Sequence, residues 1–430
     1  MIQRITSTRT LALSLVFLAL CMLPAVSHAQ GPQGKVLAGF FEEWSIYYAN
    51  YNIADLQANG VAGHLSHFVY AFANVTTSPT PSCAIADAWA DFETPYLPAT
   101  GGIASQWPLF GNFAEILKLK QLNPNLKTVI SLGGASSGNT NAFVTAASTP
   151  AGRTALAASC IDMFIVGNVG SDWNGNITAP GLFDGFNIDW EFPTAADKQN
   201  YTALLQEFHK QLNALSQTTG KQYVLSADSP AGSQNYVNID LPNVAKSLDF
   251  FTIDGYNYAG SWDTITNHAS PVFDSPRDPN YGQGFDIEDT ISAYLKAGVP
   301  GKKIVLGVPL YGAGWQGVPG ANHGLYQPST GPATSPVGDT LATDGVATYN
   351  TLQGLSGFSK TFDWRCLAIS IYNPSTQTFW TYDDPTTARL KMTYIQIRVP
   401  GGLGGAFAWA LKDDDPNGTM MKTMAAGLGR

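Results

Sequence analysis

The sequence predicts a parallel (β/α)8 barrel of the TIM type, with a small α+β insertion after the seventh strand. Eight short apolar stretches alternate with helix-like stretches along most of the 430 residues, and this alternation is typical of a parallel sheet. One connection, late in the chain, is far longer than the others. The length suits one large barrel with an insertion or two modest domains, and the strand count favours the barrel.

The predicted strands are short and apolar, and helical patterns separate most of them. The strands cover residues 36–41, 67–73, 128–132, 183–191, 224–228, 250–256, 304–309 and 405–409. The clearest helical patterns cover residues 113–122, 154–166, 197–216 and 287–297. Because the active sites of parallel barrels lie where the strands end, we expect functional residues at the C-terminal ends of these strands.

The long connection runs from Trp315 to about Tyr382. It is rich in Gly and Pro at first and then gains strand character, with residues 368–372 and 378–382 predicted to form a hairpin. We therefore predict one catalytic domain over residues 30–430, with an inserted module at about residues 316–382.

The N-terminal 29 residues have the pattern of a secretory signal peptide. Arg4 and Arg9 supply positive charge, residues 11–23 are apolar but too short to span a bilayer comfortably, and small residues follow. An uncleaved anchor is the alternative, and Cys21 hints at a lipoprotein signal although the residue before it is bulky. We expect a secreted extracellular protein, with the periplasm as the other location, and no membrane contact after cleavage.

The acidic composition argues against nucleic acid as a partner. The formal net charge is −9, and residues 1–29 contain two Arg and no acids, so cleavage would take the charge to −11. A neutral polymer would be indifferent to that charge. We predict a monomer.

Three cysteines remain after cleavage, namely Cys83, Cys160 and Cys366. They permit at most one internal disulfide, which excludes a disulfide scaffold but leaves the pairing open. The six His residues are scattered without the spacing of metal ligands, so we predict no metal site and no cofactor.

The fourth predicted strand carries the most informative residues. Side chains alternate along a strand, so Asn187, Asp189 and Glu191 share one face while apolar side chains occupy the other. Burying two unpaired acids is costly, which disfavours a purely structural role for the pair. Residues two apart lie about 6.5 Å apart along a strand, so we expect Asp189 to raise the pKa of Glu191 by like-charge repulsion.

Motifs along nearly all of the mature chain resemble those of family 18 glycoside hydrolases, the chitinases. Residues 184–191 correspond to the family signature Asp-Gly-x-Asp-x-Asp-x-Glu, and residues 131–134 match Ser-x-Gly-Gly. Other segments resemble the family in order, namely residues 39–44, 70–75, 256–262, 310–312 and 404–409. The resemblance implies retaining, substrate-assisted hydrolysis of β-1,4 linkages in chitin and chitooligosaccharides.

The resemblance assigns roles to four residues of this chain. Glu191 matches the general acid that protonates the glycosidic oxygen. Asp189 matches the carboxylate that orients the substrate N-acetyl group and stabilises the charge that develops on it. Tyr256 matches the phenol that hydrogen-bonds the acetamido oxygen, and Trp409 matches the floor under the distorted sugar.

Two residues depart from the family pattern. Asn187 and Asn257 stand where the family has Asp, so each exchange keeps the shape and removes a negative charge. In the family, the Asp at the first of these positions shares a proton with the next acid of the signature, which is Asp189 here. We therefore expect an active enzyme with an altered pH profile, in which the pKa of Asp189 lies lower than in relatives that keep the Asp.

Three further Trp residues are candidates for sugar stacking, because pyranose faces are apolar. Trp44 follows the first predicted strand, Trp262 the sixth and Trp315 the seventh, and a place in the core is the alternative for each. We predict substrate contacts for all three and for Asn257.

Two other functions stay open at this point. A non-catalytic chitin-binding relative would usually lack the general acid, whereas Glu191 is present. An endo-β-N-acetylglucosaminidase acting on N-glycans would share the mechanism. The long insertion favours chitin, because it would form one wall of a deep cleft.

Overall fold

The computed structural model describes residues 34–172 and 175–430, and Lys35–Arg430 forms one compact unit. The predicted signal peptide lies outside the described residues. Within the described part of the chain, no helix is long and apolar enough to cross a membrane.

The described residues contain seventeen strands. In chain order they are β1 (Val36–Glu42), β2 (His67–Thr76), β3 (Ser82–Ala84), β4 (Lys127–Gly133), β5 (Asn168–Asp172), β6 (Gly175–Thr178), β7 (Gly185–Asp189), β8 (Val224–Ser229), β9 (Phe250–Ile253), β10 (Ile304–Pro309), β11 (Tyr311–Gln316), β12 (Gly331–Pro332), β13 (Val346–Thr348), β14 (Ser359–Asp363), β15 (Ala368–Asn373), β16 (Thr378–Tyr382) and β17 (Gly405–Trp409).

Helices separate most of these strands. The α-helices of the described residues are α1 (Ile53–Ala58), α2 (Gly111–Leu122), α3 (Ser137–Ala147), α4 (Pro150–Cys160), α5 (Lys198–Thr219), α6 (Ser233–Tyr236), α7 (Leu241–Ser247), α8 (Ile287–Lys296), α9 (Tyr349–Leu352), α10 (Pro385–Ile397) and α11 (Thr419–Leu428). A π-helical segment, Ile161–Val166, continues α4, so the predicted helix over residues 154–166 is present in two parts.

Eight strands close into a parallel barrel, which confirms the predicted fold class. Around the barrel the order is β1, β2, β4, β7, β8, β9, β10 and β17, and closure comes from the pairing of β1 with both β2 and β17. All eight predicted strands are present. The fourth, β7, is shorter than predicted, so Glu191 lies just beyond its C-terminal end.

The two faces of the barrel strands pack into separate cores. The outward-facing Phe186 of β7 meets Phe208 of α5 with ring centroids 5.5 Å apart, and Trp190, directly after β7, stacks on Phe143 of α3 at 5.4 Å. Side chains of the opposite faces, such as Phe40, form a second cluster inside the barrel. The apolar face of the fourth strand therefore packs against helices, as predicted, and its acidic face points into the barrel.

An antiparallel sheet of six strands lies in the insertion after β10. Its strands run in the order β12-β11-β16-β15-β14, and β13 pairs with β11. The predicted hairpin is formed by β15 and β16. The first strand of the sheet begins at Tyr311, upstream of residue 316, where the sequence places the start of the module.

A disulfide joins Cys83 in β3 to Cys160 at the end of α4, and Cys366 is a buried free thiol. The two joined residues are 77 positions apart in the sequence.

Closing so long a loop restricts the unfolded chain, so we expect the double variant Cys83→Ser/Cys160→Ser to lose about 2–5 kcal/mol of unfolding free energy. Denaturant unfolding without reductant measures this loss. Wild-type protein in reductant should match the variant, and an unchanged unfolding midpoint would contradict the expectation.

Candidate active site

A cavity of about 200 Å³ lies at the C-terminal ends of the barrel strands. Four acids from three neighbouring strands or their ends line it, namely Asp189, Glu191, Asp228 and Asp254. A larger cavity of about 570 Å³ lies elsewhere, and none of these four acids lines it. Because side chains of several barrel strands converge in the smaller cavity, we take it as the candidate active site.

The backbone around Asp189 and Glu191 is held by neighbouring elements. The carbonyl of Asp189 accepts a hydrogen bond from the Gly134 amide at 2.9 Å. The Thr140 hydroxyl of α3 donates to the Glu191 carbonyl, also at 2.9 Å. Asp189, the last residue of β7, is buried, and Glu191, just beyond the strand, is half-buried; both side chains line the cavity.

Burial dominates the protonation of the acid pair. It raises the pKa of Glu191, and a hydrogen bond from Asp189 lowers that pKa in part. The pKa of Asp189 lies well above its ordinary value, first because of burial and then because of the charges of Glu191 and Asp254. Glu191 therefore keeps its proton more readily than an exposed Glu, but mainly through burial and not, as the sequence suggested, through like-charge repulsion.

Asn187 lies one layer deeper in the barrel and is completely buried. Its Oδ1 accepts a hydrogen bond from the Ser131 hydroxyl at 3.0 Å, and its Nδ2 donates to the Ser226 and Thr252 hydroxyls at 3.0 and 3.2 Å. The amide thus ties four barrel strands together. Asp189 Oδ1, by contrast, is buried and has no hydrogen-bond partner among the described residues.

Asp228 and Asp254 are site residues that the sequence motifs do not reveal. Burial raises the pKa of Asp254 to about 8, and the charge of Glu191 adds to the rise. The pKa of Asp228 lies well above its ordinary value because of burial and the charges of Asp254, Asp189 and Glu191. Both acids were present in the predicted fifth and sixth strands, so an acid near the end of a barrel strand was an available signal.

Tyr256 and Asn257 follow β9 and line the same cavity. The Tyr256 ring packs edge-on against Tyr311 and Phe407, with centroids 6.0 and 6.2 Å apart. The Tyr311 hydroxyl donates to Asn257 Oδ1 at 2.9 Å. Tyr311 is therefore another residue of the site. The motif resemblance covers its segment, residues 310–312, but assigns Tyr311 no role.

Trp409 ends β17 and forms an aromatic wall of the cavity. Its ring lies 5.4 Å from that of Phe40 and 5.7 Å from that of Phe72, and it is nearly parallel to the Phe72 ring. Trp44 extends this wall, with its ring 6.1 Å from Phe72 and 36% of its surface exposed. An apolar ring surface of this kind suits the flat face of a sugar.

Trp262 and Trp315 have opposite environments. Trp262 is 66% exposed, and its ring packs so closely on Gly260 that a Cβ there would lie 2.3 Å from it. Trp315 is 0% exposed, packs against Phe379 in the core of the inserted module and donates to the Asp263 carbonyl. The predicted sugar contact is therefore wrong for Trp315, because its ring presents no accessible face.

Three possible metal-ligating side chains meet away from the cavity. Ligand atoms of His268, Asp363 and Cys366 all lie within 4.8 Å of one another, which sequence spacing alone did not predict. His268 Nε2 lies 3.6 Å from Asp363 Oδ2, as in an ion pair. The absence of a metal site therefore stays a prediction.

Gly133 allows the close approach of β4 and β7 beside Asp189. Its φ is +118°, and a Cβ at this position would lie 2.1 Å from the Asp189 carbonyl oxygen. We expect Gly133→Ala to lower the unfolding free energy by about 1–3 kcal/mol through strain and to displace Asp189. Thermal unfolding and turnover measure the two effects. Gly138→Ala is the matched control, because a Cβ there meets no atom within 4 Å, and equal behaviour of the two variants would contradict this interpretation.

The comparisons with known proteins agree with this geometry. The model of a protein family described as glycosyl hydrolases family 18 matches residues 36–414. Chitinase A1 of Niallia circulans is 30% identical over 461 residues, which cover 97% of this chain and 62% of that protein. Endochitinase 1 of Metarhizium robertsii is 32% identical over 384 residues, which cover 89% of this chain and 82% of that protein.

A solved structure has the same architecture. The catalytic domain of psychrophilic chitinase B from Arthrobacter TAD20 superposes with a TM-score of 0.84 at 33% identity. The match covers 92% of this chain and 95% of that domain.

Proposed function

The chain belongs to the glycosyl hydrolases of family 18, and from this membership we propose that it is a chitinase. Its substrates are chitin and chitooligosaccharides, in which it hydrolyses β-1,4 linkages between N-acetylglucosamine units. The observation that carries the proposal is the placement of Asp189, at the end of β7, and Glu191, just beyond it, in one cavity that Tyr256 and Trp409 also line. No cofactor is needed for this chemistry.

In the first step, the substrate supplies its own nucleophile. The acetamido oxygen attacks the anomeric carbon while the bond from that carbon to the glycosidic oxygen breaks. Glu191 gives its proton to the departing oxygen, and its burial raises the pKa of this carboxyl and so favours the protonated form. The unpartnered Oδ1 of Asp189 accepts the acetamido N–H and stabilises the positive charge of the cyclic intermediate.

In the second step, water attacks the same carbon and the ring of the intermediate opens. The Glu191 carboxylate takes the proton from the water, so the acid is restored. Two displacements at one carbon retain the β configuration. Tyr256 hydrogen-bonds the acetamido oxygen, and Trp409 supports the distorted sugar.

Other parts of the protein contact the substrate or form the cleft around this site. Trp44, Trp262 and Asn257 contact further parts of the substrate, and exposure of the two Trp rings supports this. The catalytic domain spans residues 30–430, and the module after β10 forms one wall of the cleft. The protein is a monomer without nucleic-acid partners, and residues 1–29 direct its secretion.

Incubation with chitohexaose tests the proposal. Proton NMR during early hydrolysis should show new reducing ends as the β-anomer. Fully deacetylated chitosan hexamer and cellohexaose should resist cleavage, because both lack the acetamido nucleophile. An early α-anomer, or efficient cellohexaose cleavage, would refute substrate assistance.

A binding assay with chitohexaose and an incubation with a glycoprotein separate the alternatives. Binding of chitohexaose without turnover would identify a non-catalytic chitin-binding protein. Release of N-glycans from a glycoprotein, without cleavage of chitohexaose, would identify an endo-β-N-acetylglucosaminidase.

A further inference from the structure

Three acids from neighbouring barrel strands meet above Asn187, and we call these three acids the carboxyl layer. The hydrogen bonds from Asn187 to Ser226 and Thr252 show that these three side chains meet in the barrel interior. Side chains alternate between the two faces of a strand, so the residues two positions further on each strand also point into the interior, nearer to its C-terminal end. Those residues are Asp189, Asp228 and Asp254. All three line the catalytic cavity together with Glu191 and Tyr256.

The residue below this layer cannot exchange protons with it. Asn187 does not titrate, and its oxygen and its amide group already bond to Ser131, Ser226 and Thr252. Asp189 Oδ1 has no hydrogen-bond partner among the described residues. Any carboxyl that shares charge with Asp189 must therefore come from its own layer or from Glu191.

We propose that Asp254 and Asp228 are positioning residues which form, with Asp189, a proton-sharing carboxyl layer that sets the protonation of Asp189 and Glu191. The inference rests on the proposed function, because it concerns the proton balance of the same reaction. The layer replaces the carboxyl that position 187 lacks in this chain.

Electrostatics supports the coupling of these acids. The charges of Glu191 and Asp254 raise the pKa of Asp189. The charges of Asp254, Asp189 and Glu191 raise the pKa of Asp228. The other titratable groups that interact with the layer are phenols on the surrounding elements, namely Tyr201 of α5, Tyr294 of α8, and Tyr256, Tyr258 and Tyr311 beyond β9 and β10. Since phenols are neutral at the working pH, the four carboxyls must limit their own charge by keeping protons.

Asp254 also links the layer to the substrate contact above it. A hydrogen bond between Asp254 and Tyr256 lowers the pKa of Asp254 against the effect of burial and raises that of the phenol. In the protein without substrate, the Asp254 carboxylate thus accepts a hydrogen bond from the Tyr256 hydroxyl. When substrate binds, the hydroxyl turns its single proton to the acetamido oxygen. In Asp254→Asn the amide oxygen still accepts this hydrogen bond, so the exchange removes charge and leaves the Tyr256 contact in place.

Asp254→Asn tests the coupling through the pH dependence of kcat/KM on chitohexaose, which reports groups of the free enzyme. The last of the four carboxyls to lose its proton does so beside the negative charges of the others, and these charges raise its pKa. Removal of one acid must therefore lower this highest pKa. We expect the basic limb of the profile to move to lower pH by about one unit. Asp228→Asn should shift it in the same direction, and it provides a second test if Asp254→Asn does not fold.

A double variant distinguishes proton sharing from a structural effect. Asn187→Asp/Asp254→Asn again has four carboxyls, so its basic limb should return towards that of the wild type. The matched control is Asp162→Asn, which removes one exposed carboxylate near the end of α4 and should leave the profile unchanged. Superimposable profiles of Asp254→Asn and the wild type, or a double variant that stays shifted, would overturn the proposal.

Carboxyl carbon NMR titration of the same proteins, labelled in Asp and Glu, tests the layer without turnover. The highest carboxyl pKa should fall in Asp254→Asn and recover in the double variant. If chitohexaose is not cleaved, the proposed function fails while this titration still decides the inference. Unchanged carboxyl titrations would overturn the inference even for an active chitinase.

Discussion

Glu191→Gln is expected to lower kcat on chitohexaose by a factor of about 10²–10⁴ and to leave the binding of the oligosaccharide nearly unchanged. The exchange keeps the shape and the polar character of the side chain but removes the proton that the glycosidic oxygen must receive. The Thr140 hydroxyl bonds the carbonyl of residue 191 and not its side chain, so the backbone position is unaffected.

Initial rates and isothermal titration with chitohexaose check this result. Glu207→Gln is the matched control, because Glu207 lies on α5, where it pairs with Lys210. Its rate should equal that of the wild type. Retention of a tenth or more of the activity in Glu191→Gln would show that another group donates the proton.

Asp189→Asn is expected to lower kcat by a factor of about 10²–10³, with a much smaller change in KM. The amide cannot stabilise the positive charge of the cyclic intermediate, which exists only after attack by the acetamido oxygen. It also removes one carboxyl from the layer, so the basic limb of the profile should move to lower pH.

Asp184→Asn is the control on the same stretch of chain. Asp184 precedes β7 at the opposite end of the barrel, where it bonds Lys120 and the Thr128 amide. Its loss should reduce thermal stability while kcat stays the same. If both variants lost activity equally, the effect of Asp189→Asn would be attributable to stability and not to the chemistry.

The sequence by itself determined the barrel and the central acid pair. Strand periodicity is a local property, so the eight apolar stretches could be placed before any contact was known. The same periodicity placed Asn187, Asp189 and Glu191 on one face, and the structure puts that face inside the barrel. The motif resemblance added Tyr256 and Trp409, both of which line the same cavity.

Only the tertiary structure decided which residues of different strands meet. Trp315 follows a barrel strand as Trp262 does, yet it is buried, because β11 turns its ring into the core of the module. The pairing of Cys83 with Cys160 likewise depends on how β3 packs against α4. Asp228 and Asp254 line the same cavity as Asp189 because β7, β8 and β9 are neighbours in a fixed register, in which Asn187 pairs with Ser226 and Asp228 with Thr252. Register is set by long-range packing, whereas periodicity is set by neighbouring residues, and this is why the sequence contained the acids but not their layer.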